Sequence, residues 1–288
     1  MVIGRLRSEL RKQLDENAHE ADWIISYVTK MSQSDFVLHP REVTDDELTA
    51  IEEIVLRRMA GEPLQYILGE TEFMGMTFKV SDLVLIPRQD TETLVETVIE
   101  KINDMAEKAE GKKIRVLDIG TGSGCIGISI AKLCPDTEVT LLDYSDSILG
   151  VAKENAELNG VSVNTMRCDI LEEIPEGEYD VIVSNPPYIE TDTIFSLDNI
   201  VSSYEPVEAL DGGFDGLMFY QRIAEEVAKE IMPENGFIAF EIGCNQGEEV
   251  SEILREEDFS GVKVIQDACG NDRVVTARLK PALFAAFD

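Results

Sequence analysis

The chain has 288 residues, of which 44% are hydrophobic and 28% charged, close to the average for soluble globular proteins. This length gives room for about two domains with buried cores and excludes a small disulfide-stapled scaffold. Its 57 acidic and 25 basic side chains give a net charge of −32, which repels phosphate backbones and anionic lipid surfaces.

The negative charge is concentrated after residue 80, since residues 1–80 hold 15 acidic and 9 basic side chains and residues 81–288 hold 42 and 16. No apolar run reaches the roughly 18 residues of a membrane span, and the first residues do not resemble a signal peptide. The five cysteines are odd in number and lack C-x-x-C spacing, which favours reduced thiols over disulfides or a zinc ribbon. We therefore expect a cytoplasmic protein with no metal site and no direct nucleic-acid or membrane partner.

The first part of the chain has the apolar spacing that is typical of amphipathic helices. One stretch covers about residues 3–28 and another about residues 45–60, the latter opened by a capping-box pattern at Thr44 and Glu47. These features predict a small helical domain.

Two apolar segments with glycines at turn positions follow this helical region. We predict that residues 65–69 and 72–80 form the strands of a β-hairpin that joins the helical domain to the rest of the chain. The chain is accordingly divided into an N-terminal helical domain with its linking hairpin at residues 1–80 and a second domain at residues 81–288.

The second domain alternates short β-branched runs with helical stretches, starting with a helix at about residues 90–107. This alternation predicts the α/β class, with a mostly parallel sheet covered on both faces and an antiparallel pair at its edge, formed by the last two strands. Residues 186–213 lack periodicity and start where a strand ends, a place where functional segments often occur. The predicted strands are residues 114–119, 138–143, 163–167, 180–184, 237–242, 262–265 and 273–279.

The first of these strands runs into a glycine-rich turn, Gly120-Thr121-Gly122-Ser123-Gly124, which precedes a helical run. Glycines let the backbone approach a ligand, and the helix N-terminus supplies free N–H groups. The next strand ends in Asp143, 23 positions after Gly120, where a carboxylate can accept hydrogen bonds from both hydroxyls of a ribose. This combination predicts a nucleoside-type cofactor site, although Asp143 can also cap the helix that begins near Ser145.

The residues around the turn discriminate between cofactors. Dinucleotide folds usually carry G-x-G-x-x-G and hold a pyrophosphate, whereas here the third glycine comes one residue early and Asp118 precedes the turn. A carboxylate at that place would repel a pyrophosphate but suits a cationic sulfonium and an amino group. The pattern favours S-adenosylmethionine over NAD, and an NAD-dependent oxidoreductase is retained as an alternative class.

The fourth predicted strand ends in the tetrad Asn185-Pro186-Pro187-Tyr188. Because the two prolines fix the backbone and lack N–H donors, the Asn185 side chain and the Pro186 carbonyl can both accept hydrogen bonds from a planar –NH2 group. Such bonds hold an amide or aryl amine nitrogen in place as it attacks, while Tyr188 can cover the flat group and exclude water. We predict Asn185, Pro186 and Tyr188 as catalytic residues; a rigid turn without catalytic role is the alternative for the tetrad alone.

Together these motifs resemble the protein-(glutamine N5) methyltransferases that modify class I peptide chain release factors, the HemK/PrmC family. The tetrad is shared with methyltransferases that act on adenine amino groups, whereas the hairpin and the Pro-Arg motif before the glycine turn are more specific. One departure is that the family's P-R-P-E-T-E is Pro87-Arg88-Gln89-Asp90-Thr91-Glu92 here. The likeness covers nearly the whole chain, at residues 61–67, 72–75, 85–88, 118–124, 185–189, 205–206, 209–210, 212–213, 215–216, 241–243 and 272–275.

The resemblance implies a Rossmann-like S-adenosylmethionine-dependent methyltransferase domain that modifies the glutamine of the release factor's Gly-Gly-Gln loop. It implies that the N-terminal domain helps to dock this protein substrate. Asp90 and Glu92 favour release factors over ribosomal proteins as substrates. The implied cofactor-binding residues are Gly120, Thr121, Gly122, Ser123, Gly124, Asp143, Asp169 or Ile170 beside the adenine, and Asn185. The implied substrate-binding residues are Asn185, Pro186, Pro187 and Tyr188, with Phe73 and Arg88 lining the methyl-donor pocket or substrate channel unless they serve only the hairpin.

The expected reaction is an in-line displacement at the sulfonium methyl by the amide nitrogen, which Asn185 and the Pro186 carbonyl position. No metal or general base is expected, in keeping with histidines only at positions 19 and 39. The main alternative is an amino-group methyltransferase acting on adenine or guanine of DNA or RNA, which the acidity of the second domain disfavours. A non-enzymatic binding module is the remaining alternative.

Overall fold

The computed structural model describes residues 1–108, 111–196 and 203–281. Within these ranges the chain forms two compact units, one of residues 1–70 with residues 203 and 204, the other of the remaining described residues from Thr71 onward. Each unit has its own hydrophobic core. None of the helices in these ranges combines the length and apolar character needed to cross a membrane.

The N-terminal unit is built from short helices around a core that includes Ile3, Ile24 and Ile51. The predicted helix at residues 3–28 is two helices, because a 3-10 turn at Asp15–Asn17 interrupts it with Asp15 at a φ of 48°. The second helix then packs on the first, and Arg7 donates two hydrogen bonds to Asp22 at 2.6 and 2.7 Å. The helices are Ile3–Gln13, Glu20–Thr29, Asp35–Leu38, Asp45–Met59 and Leu64–Leu68.

The capping box at the start of Asp45–Met59 is confirmed. The Thr44 hydroxyl accepts the Glu47 N–H at 3.2 Å, and the Glu47 carboxylate accepts the Thr44 N–H at 2.9 Å. Two N–H groups that the helix itself leaves without partners are thereby satisfied.

The prediction of a strand at residues 65–69 is wrong, since the short helix Leu64–Leu68 occupies this place. Pro63 precedes the helix, where its fixed φ and missing N–H are tolerated, and Gly69 ends it with a φ of 74°. A five-residue apolar run suits a strand or a helical turn equally well, and burial of Leu64 in the helical core decides for the helix.

The hairpin is formed by β1 (Glu70–Phe73) and β2 (Met76–Lys79). β1 overlaps the beginning of the strand predicted at residues 72–80, and β2 lies inside it. Met74 and Gly75 make the turn between them, each with a positive φ. Phe73 and Phe78 lie in the core of the second unit, so the hairpin groups with that unit rather than with the helical one to which residues 1–80 were assigned.

The second unit has the predicted mostly parallel sheet with an antiparallel edge. Seven strands lie in the order β5-β4-β3-β6-β7-β9-β8, in which β9 runs antiparallel to both β7 and β8. The strands are β3 (Ile114–Ile119), β4 (Thr137–Asp143), β5 (Asn164–Arg167), β6 (Val181–Ser184), β7 (Phe237–Glu241), β8 (Phe259–Gln266) and β9 (Asp272–Leu279).

Helices cover both faces of this sheet, as the fully buried strands require. Successive residues of β3 alternate between two cores, with Val116 in one and Leu117 in the other. The helices are Glu92–Ala106, Cys125–Leu133, Asp146–Leu158, Gly247–Glu256 and a run at residues 218–231 that contains the π-helical turn Ile223–Val227.

The strand order reverses direction at β3, whose two neighbours are β4 and β6. In open α/β sheets, ligands bind outside the carboxyl ends of the strands at such a switch point. The irregular segment predicted at residues 186–213 starts there. Its described part is tied by a bridge between Ile189 and Asp211, while residues 197–202 lie outside the described ranges.

Candidate active site

The glycine-rich turn directly follows β3 and leads into the helix Cys125–Leu133. Gly120, Gly122 and Gly124 have φ values of 69°, 53° and 82°, a region that other residues rarely adopt. A Cβ added at Gly120 or Gly122 would meet no atom within 4 Å. The backbone is therefore open to a ligand at this turn, beside the free N–H groups of the helix.

Asp118 lies underneath the turn and is completely buried. Its Oδ2 accepts the Thr121 hydroxyl at 2.6 Å and the Gly127 N–H at 3.0 Å. Its Oδ1 is also buried and finds no hydrogen-bond partner among the described residues. Burial raises the pKa of Asp118 to about 6. The hydrogen bonds of this carboxyl group under the turn therefore compensate its burial only in part.

Asp143 ends β4 and lies against the same turn. Its Oδ2 accepts the Gly122 N–H at 3.0 Å and its Oδ1 accepts the Tyr144 N–H at 2.9 Å. Burial raises the pKa of this carboxyl. The acid selected from the sequence is therefore held at the glycine turn as well as at the start of the following helical segment.

Asp169 and Ile170 follow β5, the next strand beyond β4. Asp169 is exposed and its Oδ1 accepts the Leu171 N–H at 3.0 Å, whereas the Ile170 side chain is buried. The predicted cofactor residues thus form one row along the carboxyl ends of β3, β4 and β5.

The Asn-Pro-Pro-Tyr tetrad begins directly after β6, which pairs with β3 so that Ser184 lies opposite Ile119. The Ser184 hydroxyl donates to the Ile119 carbonyl at 2.7 Å and fixes the two strand ends to each other. Gly120 and Asn185 are the next residues along the two parallel strands. The structure therefore brings the glycine turn and the tetrad together.

Two loops support the far end of the tetrad. A Cβ at Gly212 would lie 2.7 Å from the Cα of Tyr188, and one at Gly216 would lie 2.4 Å from the Tyr188 carbonyl oxygen. The Gln246 side chain donates to the carbonyls of Tyr188 and Gly216 at 3.1 and 3.2 Å and accepts the Gly243 N–H at 2.9 Å. Burial raises the pKa of Tyr188 to about 12, so its hydroxyl is neutral at ordinary pH.

Arg88 and Phe73 have different places in this unit. Arg88 is partly exposed and forms an ion pair with the buried Glu205, whose pKa is raised by burial. Phe73 is 1% exposed and packs edge-on against Phe78 in the core. Of the two roles considered for Phe73, this burial favours the structural one in the hairpin over lining the methyl-donor pocket or substrate channel.

The sequence analysis did not identify Thr91 and Glu241 as site residues. Glu241 ends β7, next to β6, and is 2% exposed. Burial raises its pKa to about 7, although Thr91, Arg273 and Asn185 favour the ionised form. An acid that ends an otherwise apolar strand, Phe237–Glu241, was the signal available in the sequence.

Two protein families match this chain, each in a different region of the sequence. Residues 91–202 match the family described as Methyltransferase small domain, and residues 2–69 match the PrmC N-terminal domain. A methyltransferase from Pyrococcus furiosus has a similar structure, with a TM-score of 0.52 at 18% identity over 80% of this chain and 98% of that one. Fold and site together define an enzyme of the S-adenosylmethionine-dependent methyltransferase class.

Relatives narrow this class to one family. A release factor glutamine methyltransferase of Thermodesulfovibrio yellowstonii is 36% identical over 98% of this chain and 99% of its own length. Another of Agrobacterium fabrum is 40% identical over 90% of this chain and 89% of its own. The chain belongs to the release factor glutamine methyltransferase family.

Proposed function

We propose that this enzyme transfers the methyl group of S-adenosylmethionine to the side-chain amide nitrogen of the glutamine in the Gly-Gly-Gln loop of class I peptide chain release factors. The observation that carries the proposal is the juxtaposition of the glycine turn and the Asn185 tetrad on the paired strands β3 and β6. A nucleoside cofactor site there adjoins acceptors for a planar amide. The activity named for its relatives supports the same substrate.

The residues at the turn fit S-adenosylmethionine. The space above Gly120 and Gly122 is open, and Asp143 lies beside them as an acceptor for ribose hydroxyls. The partly uncompensated carboxyl of Asp118 under the turn disfavours a pyrophosphate and favours a cationic ligand. We assign Gly120–Gly124, Asp143, Asp169 or Ile170, and Asn185 to cofactor binding.

The tetrad positions the substrate nitrogen. Bound S-adenosylmethionine supplies an electrophilic methyl group. Asn185 Oδ1 and the Pro186 carbonyl accept one N–H each from the glutamine amide, which holds the nitrogen for attack along the axis of the breaking bond. Tyr188 covers the amide and excludes water, and the surplus proton on the methylated nitrogen leaves to solvent.

The helical unit at residues 1–70 is proposed to dock the release factor. It exposes several large apolar side chains, of which Val37 and Leu38 are 72% and 68% exposed. Trp23, Leu56 and Met59 are also exposed in this unit. Arg88, in the second unit, is proposed to contact the substrate through the exposed part of its side chain, which also pairs with Glu205.

The decisive experiment supplies methyl-labelled S-adenosylmethionine together with a release factor, or with tRNA, rRNA or DNA. We expect label in the release factor, at the glutamine of the Gly-Gly-Gln loop by peptide mass spectrometry. A release factor with that glutamine replaced by alanine is the control and should stay unlabelled. Label in nucleic acid but never in a release factor would reject the proposal in favour of a nucleobase amino-methyltransferase.

Replacing Asn185 by alanine separates positioning from cofactor binding. Removing one preorganised group that acts in the transition state typically costs about 10²- to 10³-fold in kcat, and we expect a loss of at least this size. The affinity for S-adenosylhomocysteine, to which the other proposed cofactor residues contribute most, should fall far less than kcat, which calorimetry checks. Retention of wild-type methyl transfer by Asn185→Ala would falsify the proposed role of Asn185 in positioning the substrate amide.

A further inference from the structure

Phe214 is the most exposed large apolar side chain among the described residues, with 91% of its surface open to solvent. It lies in the loop of residues 211–217, whose sequence is Asp-Gly-Gly-Phe-Asp-Gly-Leu. A single exposed apolar residue is ordinary on a protein surface. The exposure of this ring gains meaning from how the loop is built, where it lies and which charges surround it.

Hydrogen bonds fix the loop backbone on both sides of Phe214. Asp211 Oδ1 accepts the Thr191 hydroxyl at 2.7 Å and the Gly213 N–H at 3.0 Å, and the Thr191 N–H donates to the Gly213 carbonyl at 2.9 Å. After the ring, the Asp215 carboxylate accepts the N–H two residues further on at 3.0 Å. The loop thus holds the ring in solvent in one conformation, and a partner that buries the ring does not have to order this backbone.

The loop lies beside the tetrad. The Gly212 N–H donates to the carbonyl of Ile189, the residue after Tyr188, at 2.8 Å, and the Ile189 N–H donates to the Leu210 carbonyl at 3.0 Å. Phe214 is two residues from Gly212, so their Cα atoms are at most about 8 Å apart. A standard protein interface covers about 800 Å² on each partner, which is a patch roughly 16 Å in radius. A protein that inserts a side chain at the tetrad therefore also covers this loop.

The chain around the ring is acidic. The two segments that pair here, residues 189–193 and 207–217, contain five acidic and no basic side chains. An exposed ring can stack on a nucleobase, but these carboxylates repel the phosphates that accompany one. They attract lysine and arginine, whose cationic groups can also lie over an aromatic face. This acidic rim consists of Asp211 and the exposed Glu190, Asp192, Glu208 and Asp215.

We propose that Phe214 is an apolar anchor of the second unit for its protein substrate, and that it inserts into a basic surface of the release factor next to the Gly-Gly-Gln loop. The inference rests on the proposed function, because that function defines which protein reaches the tetrad. A rigid aromatic side chain surrounded by polar groups is the usual composition of an interface hot spot. The contact is additional to the docking proposed for the helical unit.

The test measures steady-state kinetics with a release factor for wild type, Phe214→Ala and Phe214→Leu. Loss of a phenylalanine side chain that binding buries costs about 10- to 100-fold in affinity. We expect KM for the release factor to rise by this factor in Phe214→Ala, with kcat and the affinity for S-adenosylhomocysteine within about twofold of wild type. Phe214→Leu, which keeps an apolar side chain, should lie between the two.

A control variant and a charge variant accompany this series. Leu133 is 49% exposed and lies just before β4, at the amino edge of the parallel strands, so Leu133→Ala should keep the wild-type KM. The double variant Glu208→Gln/Asp215→Asn keeps the shape of the acidic rim and removes two charges. It should raise KM several-fold at low salt and reduce the salt dependence of binding. An unchanged KM and salt dependence would overturn the basic character assigned to the partner surface.

Binding and methylation are read separately, which keeps the anchor distinct from the proposed function. Binding of a release factor without its methylation by wild type would reject the function, while loss of that binding in Phe214→Ala, by surface plasmon resonance, would still support the anchor. Wild-type affinity and KM in Phe214→Ala would overturn the anchor and leave the function intact, and absence of any binding by wild type would overturn it as well. Binding of a single-stranded oligonucleotide that depends on Phe214, in place of release factor binding, would reject it in favour of base stacking. Because the ring is almost wholly exposed, the melting temperature of Phe214→Ala should equal that of wild type.

Discussion

The two units of the chain differ in how completely some of their buried carboxylates are compensated. In the N-terminal unit, Asp22 is paired with Arg7 and Arg11, and Glu20 is paired with Arg58. In the catalytic unit, Asp118 and Glu241 each keep a buried oxygen without a partner among the described residues. The ion pairs of the N-terminal unit compensate the charges that folding buries. The unpartnered oxygens of Asp118 and Glu241 leave part of the desolvation cost of these carboxylates without compensation.

The pKa shifts of the acids compared here differ in the same way. Hydrogen bonds from arginine lower the pKa of Asp22 and bring that of Glu47 to about 2. Burial raises the pKa of Asp118 to about 6 and that of Glu241 to about 7. Groups with raised pKa values cluster where ligands bind. The acids of the helical unit are compensated by arginines within its fold, whereas Asp118 and Glu241 lie at the sheet edge where ligand binding is proposed.

Breaking a pair in the helical unit should have the largest effect on stability. The side chains of Arg58 and Glu20 are each 9% exposed. Arg58→Met removes the partner of Glu20 and leaves a buried charge without compensation, which typically costs about 3–5 kcal/mol of stability. Chemical denaturation should show this loss. The double variant Glu20→Leu/Arg58→Met should recover most of it, and an equally unstable double variant would contradict the view that the unpaired charge is the cause.

The pH dependence of stability tests the acids with raised pKa values and the arginine-paired acids in one experiment. A carboxyl group whose folded-state pKa is raised is more protonated in the folded state than in the unfolded state, so stability falls as pH rises between the two values. For Glu241 this window runs from 4.5 to about 7 and corresponds to roughly 3 kcal/mol. Asp118 adds a change of the same sign between 3.8 and about 6.

The arginine-paired acids act in the opposite sense, because their stabilisation is lost as pH falls. For Glu47 the loss begins near its unfolded value of 4.5 and is complete below about 2. Melting temperature should therefore rise from pH 8 to about 5 and fall steeply below 4. Glu241→Gln should flatten the upper part of this curve only. A monotonic fall from pH 8 downward would refute the assignment of the raised pKa values.

Asp143 sharpens the comparison because it is a buried acid whose hydrogen bonds go to the backbone of the ligand turn. Asp143→Asn replaces an ionised acceptor by an amide, and hydrogen bonds to charged groups contribute about 1.5–3 kcal/mol. We expect the affinity for S-adenosylhomocysteine to drop roughly 10- to 100-fold by calorimetry. Asp22→Asn, in the helical unit, should leave this affinity unchanged, and a matching loss there would erase the distinction.

The smallest expected effect concerns association with the release factor. The catalytic unit contains most of the net charge of −32, so we expect it to meet a basic surface and to bind several-fold more weakly as salt rises from low to physiological concentration. Surface plasmon resonance at several salt concentrations measures this. Association that ignores salt would assign the charge to solubility alone.

The fold was predictable where the sequence pattern had one reading. All seven strands of the large sheet occur at the predicted places, because β-branched runs separated by helices leave little choice of architecture. The strand predicted at residues 65–69 was wrong because a five-residue apolar run carries no period of its own. Its helical state depends on packing of Leu64, which the sequence does not display.

The site was predictable where one motif contained the whole chemistry. The glycine turn and the tetrad each lie in consecutive residues, and their approach follows from the adjacency of β3 and β6. Glu241 was not singled out because the strand end at Ser184, beside which β7 places it, is 57 positions away in the chain. The sequence left two roles open for Phe73, because a family motif does not show whether a residue packs in the core or contacts a ligand.

The Gln246 side chain couples the opening motions of the loops around the tetrad. Its amide contacts the backbone at Tyr188, Gly216 and Gly243, so none of the three segments can open locally without breaking a bond held by the same group. Segments coupled in this way open as one cooperative unit. Their amide protons should exchange with a common opening free energy, which indicates one concerted opening of the three segments rather than three independent ones.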